Sequence, residues 1–370
     1  MRVAVGMSGG VDSTVTALLL QRAGHEVVGL TMAIWDNAYP AGEKVKSACY
    51  SAKEPQEIEF LTRLVSRLGI EHHIIPLVKE YRDNVLEYFR QEYLCGRTPN
   101  PCAVCNRKIK FDLLLDRARA SGISFDMFAT GHYACVVYDS EKKRYLLKKG
   151  REPSKDQSYF LARLTQQQLA HVIFPLGDFT KAQVRKIASE AGLTELVNQP
   201  ESQDFTDPDG YTTLFKGINV QPGPVVDLDG NVIGTHEGIV YYTIGQRKRV
   251  SKGGTSKPLY VLKINPAENL IIVGPYEKLL SEGLIATEVN WIAIEKLNSP
   301  LKANVKIRST SREIPAWLYP QSSPDRESVQ VIFEIPQPAV TPGQLAVFYE
   351  GDVVLGSGWI ASAIQKENLV

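Results

Sequence analysis

The sequence predicts an α/β chain: a parallel sheet covered by helices on both faces, followed by a β-rich remainder. Three observations predict it. Strand-length apolar runs alternate with helical periodicity up to about residue 208. Turn signals become dense beyond that point, and short alternating runs lie between them. Strand–helix alternation at this spacing builds parallel sheets, whereas closely spaced turns build antiparallel ones.

The first strands are Val3–Gly6, Val27–Met32, His73–Leu77 and Met127–Thr130. Residues 13–23 place Val15, Leu18 and Leu19 on one helical face, with Gly24 as the stop. Residues 54–68 do the same with Ile58, Leu61, Leu64, Val65 and Leu68, and Gly69 follows. In the second half, Asp207-Pro208-Asp209-Gly210, Asp229-Gly230, Gly253-Gly254 and Glu350-Gly351-Asp352 are turns. Between them Gly238–Ile244, Leu259–Ile264, Leu270–Val273, Val329–Ile335 and Leu345–Tyr349 read as strands. Pro275 ends one strand series and another starts near Leu284, so a boundary is expected near Tyr276. The expected domains are 1–207, 208–276 and 277–370.

A chain of 370 residues exceeds one compact core and suits two or three. With 44% hydrophobic and 22% charged residues, the composition is that of a globular protein. No apolar run reaches the roughly 18 residues of a membrane span. The start, Met1-Arg2-Val3-Ala4-Val5-Gly6, is too short for a secretory signal. Five cysteines, an odd number, make no disulfide framework, so a reducing cytoplasm is expected. Net charge is +1, but its distribution is uneven. From Gly238 to Ala267 there are six Lys/Arg and no acid. Such a stretch suits phosphate contacts or a solvated basic face.

The first strand runs into Met7-Ser8-Gly9-Gly10-Val11-Asp12-Ser13, which opens a helix. Glycines let backbone N–H groups approach a pyrophosphate, and the helix N-terminus adds partial positive charge. Ser8 and Ser13 can donate to phosphate oxygens, and Asp12 can hold a Mg²⁺ that bridges them. No Lys follows the glycines, so this is not the G-x-x-x-x-G-K-[ST] loop.

A second constellation is Thr98-Pro99-Asn100-Pro101-Cys102-Ala103-Val104-Cys105-Asn106-Arg107-Lys108-Ile109-Lys110. The prolines are expected to keep residues 98–101 extended, with a helix starting at Cys105 or Asn106. Ile109, Leu113 and Leu114 would face the core. A cysteine at a helix start beside Arg107, Lys108 and Lys110 is expected to have a lowered pKa.

Ser8-Gly9-Gly10-Val11-Asp12-Ser13 after the first strand resembles the signature of the N-type ATP-pyrophosphatase, or PP-loop, superfamily. The cysteine loop resembles that of the bacterial tRNA-specific 2-thiouridylases (MnmA, TrmU). Gly131-His132-Tyr133, Lys155-Asp156-Gln157-Ser158-Tyr159-Phe160, Pro175-Leu176-Gly177, Gly245-Gln246-Arg247-Lys248 and Thr341-Pro342-Gly343-Gln344 match that family in order. The resemblance covers nearly the whole chain. It implies a PP-loop (adenine nucleotide hydrolase-like) domain, a small central domain and a C-terminal β-barrel. It also implies ATP and Mg²⁺, tRNA as partner, and thiolation of the wobble uridine, with a protein sulfur donor or inorganic sulfide.

Residue by residue, the resemblance implies that Gly6, Met7, Ser8, Gly9, Gly10, Val11, Asp12 and Ser13 hold the ATP phosphates, and that Met32 and Gly131 line the adenosine. It implies tRNA contacts at Asn100, Pro101, His132, Lys155, Asp156, Gln157, Arg308 and Gln344, and a nucleophile at Cys105. Two departures matter. The family commonly has Asp where this chain has Cys102, and a second catalytic cysteine where it has Thr206. A hydroxyl cannot carry a persulfide. Two replacements for the relay are therefore open. Cys102 and Cys105 could share the two thiol roles, or Cys102, Cys105 and Cys49 could hold a [4Fe-4S] cluster. The cluster is slightly favoured, and a structural zinc site is a weaker third option. Cys95 and Cys135 read as ordinary helix-end and strand thiols. The rival functions are another PP-loop enzyme adenylating a small molecule and a catalytically idle tRNA-binding homologue. The oligomeric state is not legible.

Overall fold

The computed structural model describes residues 1–38, 49–198, 205, 210–247, 258–321 and 327–366. Thr206, Lys248 and Arg249 lie outside the described residues. The chain divides into two compact units. One is Met1–Leu86, Pro101–Leu214 and Asp352–Val354; the other is Glu87–Asn100, Phe215–Gly351 and Leu355–Val370.

The first unit is built on β1 (Arg2–Gly6), β2 (Glu26–Ala33), β3 (Glu71–Pro76), β4 (Met127–Ala129) and β7 (Val172–Ile173). A hairpin of β5 (Ala134–Asp139) and β6 (Arg144–Lys149), which the apolar runs did not announce, precedes β7. The sheet is parallel, in the order β3-β2-β1-β4-β7. Successive strands run outward from β1 in opposite directions, so a crevice opens at the carboxyl end of β1, where such sheets bind ligands.

Helix α1 (Val11–Arg22) leaves Leu18 and Leu19 only partly buried, whereas Val15, Ala17 and Leu20 are buried. It packs against both the sheet and the helix Lys181–Glu190. A helix covered on two sides has no single apolar stripe, which explains the misplaced face. Helix α2 (Glu54–Arg67) buries Leu61, Leu64 and Val65 on the expected face. Gly24 and Gly69 end these helices with φ of 80° and 65°.

The second unit contains a four-stranded sheet in the order β10-β11-β8-β9. Its strands are β8 (Gly223–Val226), β9 (Val232–His236), β10 (Tyr260–Asn265) and β11 (Leu270–Gly274). Six further strands follow: β12 (Leu280–Trp291), β13 (Leu301–Lys306), β14 (Ile314–Gln321), β15 (Ser328–Pro338), β16 (Leu345–Glu350) and β17 (Val353–Ile364). They run β12-β15-β14-β13-β16-β17, and β17 pairs back with β12 to close a barrel. Closure leaves no free strand edge.

The expected strand Gly238–Ile244 is instead a 3-10 turn at Ile239–Tyr241. Gly238 has φ 147°, and a Cβ there would lie 2.0 Å from Val220 Cγ1, so close backbone approach bends the chain out of extension. Among the described residues no helix is long and apolar enough to cross a membrane.

Candidate nucleotide and thiol site

The glycine loop lies at the carboxyl end of β1. Met7 N–H donates to Leu30 O at 2.8 Å, and Thr31 Oγ1 donates to Met7 O at 2.9 Å, anchoring the loop to β2. Gly9 has φ 80°, a conformation that disfavours any side chain. Ser13 Oγ accepts from Ser8 N–H at 3.2 Å and donates to Gly10 O at 3.2 Å, curling the loop around the helix start. Gly10 is the N-cap of α1 and offers no side-chain cap. Helix N–H groups without a side-chain partner at a sheet's crevice form a cradle for a phosphate.

Asp12 is held from two directions. Lys181 Nζ lies 2.9 and 2.8 Å from its two carboxylate oxygens, and Tyr133 Oη donates to Oδ1 at 2.8 Å. Neither partner was read from the sequence. A signal existed for Lys181. Thr180 and Gln183 form a capping box that makes Lys181 the first residue of its helix. A lysine there opposes the helix dipole, so a buried one calls for an anion. Gly131, expected against adenosine, presses on the backbone after the loop: a Cβ there would lie 2.8 Å from Asp12 C and 2.9 Å from Ser13 N. Met32 lies in β2, paired with Ile75 of β3.

The cysteine loop departs from expectation in two ways. The helix begins at Pro101, not at Cys105 or Asn106: Pro101–Val104 is α-helical and Cys105–Leu113 continues as a π-helix. Proline suits the first helical position, where its missing N–H is not needed. The Cys105 thiol is also buried, and burial pushes its pKa up to about 11, against the opposing charge of Lys110. Desolvation outweighs the flanking cations that had suggested a lowered value. Cys102 is half-buried and Cys49 exposed. Cys49, Cys102 and Cys105 all act electrostatically on Lys110. They share a neighbourhood but no ligand sphere: among the described residues no three Cys, His, Asp or Glu side chains are grouped to hold a metal. Cys95 follows the helix Glu87–Leu94 and Cys135 lies in β5, as expected of ordinary thiols.

His132 Nδ1 and Thr130 Oγ1 share a hydrogen bond of 2.7 Å, and the ring lies among Phe111 and Phe174. Burial, assisted by the Lys110 charge, pushes its pKa down to about 3, so the imidazole is neutral and offers no charge to a phosphate. Asp156 caps its own turn, accepting from Gly150 N–H at 3.2 Å and from Ser158 N–H at 3.1 Å. Gln157 is bonded to the Tyr133 backbone, and Lys155 N–H donates to Glu152 O.

In the second unit, Asn100 is buried and its N–H donates to Tyr88 Oη at 3.3 Å. Gln344 Nε2 donates to Thr98 O and Pro99 O at 3.2 and 2.8 Å, which holds that segment extended. Arg308 Nη2 donates to Ala339 O and Thr341 Oγ1. Both side chains thus have structural bonds of their own. Arg247 and Lys263 are the described cations of the acid-free stretch, and both are exposed.

Fold and loop together define an α/β protein with a glycine loop at the carboxyl end of its first parallel strand, a thiol pair at the start of a later helix and an appended β-barrel. The chain matches the tRNA methyl transferase HUP domain over residues 1–206, the tRNA methyl transferase PRC-barrel domain over 212–275 and the aminomethyltransferase beta-barrel domain over 281–360. It is 45% identical to the tRNA-specific 2-thiouridylase MnmA 1 of Caldanaerobacter subterraneus subsp. tengcongensis, covering 98% of this chain and 99% of that one. It is 42% identical to the MnmA of Acetivibrio thermocellus over 97% and 99% of the two chains. The MnmA of Endomicrobium trichonymphae is 45% identical over the same shares. The chain belongs to the MnmA family of tRNA-specific 2-thiouridylases.

Proposed function

We propose that this protein is a tRNA-uridine 2-sulfurtransferase. The observation that carries the reading is identity of 45% with an MnmA across 98% of the chain. The uridine O2 attacks the α-phosphate of ATP and pyrophosphate leaves. Sulfur then attacks C2, and AMP departs with the oxygen. A pyrimidine oxygen is a poor leaving group, whereas AMP is a good one. The glycine loop and the α1 N-terminus neutralise the leaving pyrophosphate, and Asp12 and Lys181 set the charge beside it. Mg²⁺ accompanies ATP as part of the substrate.

Cys105 carries the sulfur as a persulfide whose terminal atom attacks C2. Cys102 then attacks the Cys105 Sγ–S bond, releasing the 2-thiouridine and leaving a disulfide for an external thiol to reduce. A protein persulfide donor passes its outer sulfur to the Cys105 thiolate and leaves as a thiol, or hydrosulfide attacks Cys105 Sγ in the Cys102–Cys105 disulfide, forming the persulfide and releasing Cys102 as the thiolate; both take place in the cytoplasm. The segments Asn100–Pro101 and 155–157, with His132, Arg308 and Gln344, meet tRNA. The division into 1–207, 208–276 and 277–370 belongs to the same reading. The test is mass analysis of tRNA nucleosides after anaerobic incubation with ATP, tRNA and sulfide. 2-Thiouridine should appear with AMP. AMP formation without RNA would instead favour adenylation of a small molecule. RNA retention with no AMP would favour an idle binding homologue.

A further inference from the structure

Tyr133 belongs to two bonding networks at once. Its backbone is clamped by Gln157: Tyr133 N–H donates to Gln157 Oε1 at 2.9 Å, and Gln157 N–H donates to Tyr133 O at 3.0 Å. Its side chain reaches the other way. The hydroxyl donates to Asp12 Oδ1 at 2.8 Å, and Lys181 Nζ lies 5.8 Å from the ring centroid. One residue therefore touches both members of the ion pair beside the glycine loop and, through its backbone, the 155–157 segment.

The connection is tight along its length. Tyr133 is 3% exposed, so its ring has no room to slip. A Cβ on Gly150 would lie 2.8 Å from Tyr133 O, and one on Gly131 would lie 2.8 Å from Asp12 C. The segment 131–133 is thus pressed between Gly150 and the start of α1. A second strand of bonds runs in parallel. Lys155 N–H donates to Glu152 O at 2.9 Å, and Glu152 Oε2 accepts from Lys181 N–H at 2.6 Å. Residues 152–157 therefore fix Asp12 through Tyr133, and Lys181 through Glu152.

We propose that Tyr133 is a positioning residue that couples RNA at residues 155–157 to the setting of Asp12 in the pyrophosphate loop. The proposal rests on the reading above, that this segment meets tRNA. An RNA group that engages the Gln157 amide competes for the oxygen that Tyr133 N–H uses. The shift passes through a buried ring to the carboxylate. ATP cleavage then waits for the RNA, which prevents futile hydrolysis.

The test uses the full chain and an unmodified tRNA transcript with uridine at the wobble position. Pyrophosphate release is followed over a tRNA titration at saturating ATP, and tRNA retention on filters is measured in the same buffer. Tyr133→Phe keeps the ring and removes one charge-assisted hydrogen bond. It should leave the half-saturating tRNA concentration at the wild-type value and lower the RNA-stimulated maximum about ten-fold or more. Gln157→Glu, which keeps an oxygen facing Tyr133 N–H, should retain more stimulation than Gln157→Leu. That pair keeps the proposal testable should Tyr133→Phe fold poorly. Wild-type stimulation in Tyr133→Phe, or equal loss in both Gln157 variants, overturns the coupling alone. No RNA stimulation in the wild-type protein overturns the sulfurtransferase reading and the coupling with it.

Discussion

Lys181 places its ammonium 2.8 Å from Asp12 Oδ2, with 5% of the lysine side chain and 31% of the aspartate side chain exposed. Asp12 was expected to serve as a ligand for Mg²⁺; the structure gives it a cation of the protein's own. Asp12→Asn therefore removes two things, a negative charge beside the phosphate loop and the anion that allows Lys181 to be buried. Pyrophosphate release should be lost. Stability should also fall by roughly 1–3 kcal/mol, less than the ~3–5 kcal/mol of breaking a fully buried pair, because Asp12 is partly solvated. Urea unfolding measures the second effect. A variant with unchanged stability would show that the ion pair is energetically idle, and near wild-type release would remove Asp12 from the mechanism.

Gly131 tests the loop from the opposite side. Its Cα lies so close to α1 that a methyl group would meet Asp12 C and Ser13 N within 3 Å, and backbone cannot yield as a side chain can. Gly131→Ala should abolish ATP-dependent thermal stabilisation and cost about 1–3 kcal/mol of folding stability. Retained stabilisation by ATP would show that the start of α1 tolerates displacement.

Much of this arrangement was legible in the sequence because local rules govern it. Strand β1, the glycine loop and α1 follow from an apolar run, glycines and a helix stop, each within a few residues. The parallel sheet follows from alternation. Tyr133 and Lys181 were not legible as Asp12 partners, because they lie 121 and 169 residues away from it and only the fold brings them there. The Cys105 environment failed for a related reason. The nearby cations are visible in sequence, but burial is a tertiary property, and it dominates the thiol. The β5–β6 hairpin was missed because Ser140, Glu141, Lys142 and Lys143 at its turn carry no glycine or proline signal.

That burial gives the thiol a distinct pH signature. Burial raises the pKa of Cys105 from its ordinary 9.0 to about 11. Between those values the unfolded chain has lost the proton and the folded chain keeps it. Stability contributed by the neutral thiol is therefore present below pH 9 and lost as pH rises towards 11. Alkylation of Cys105, followed by peptide mass analysis, should accelerate about ten-fold per pH unit from neutrality up to its pKa of about 11. A plateau near neutrality would mean a resting thiolate and would contradict the burial argument. Cys135, also raised to about 11 by burial, serves as the internal control.

Sulfur transfer should depend on Cys102 as well as Cys105, and should not need a cysteine at Thr206. Loss of Cys105 alone would say little, since any thiol mechanism here uses it. Cys102 is the informative position, because the resemblance implies an Asp there and a persulfide cysteine where this chain has Thr206. It lies one helical turn from Cys105, at the start of the helix that opens with Pro101. Three residues apart on a helix, two side chains face the same way, which suits attack of one thiol on the other's sulfur. Cys49 is exposed and forms no ligand group with the pair, so Cys49→Ala should keep activity if the relay operates. Cys102→Ala should then stop at one round, with the tRNA held on Cys105 through an Sγ–S–C2 disulfide, visible as a protein–RNA adduct that an added thiol releases. Loss of activity in Cys49→Ala, together with brown absorption of the anaerobic protein, would revive three-thiolate cluster ligation against the relay. Full multiple-turnover thiolation by Cys102→Ala would leave Cys105 acting alone with an external sulfur donor.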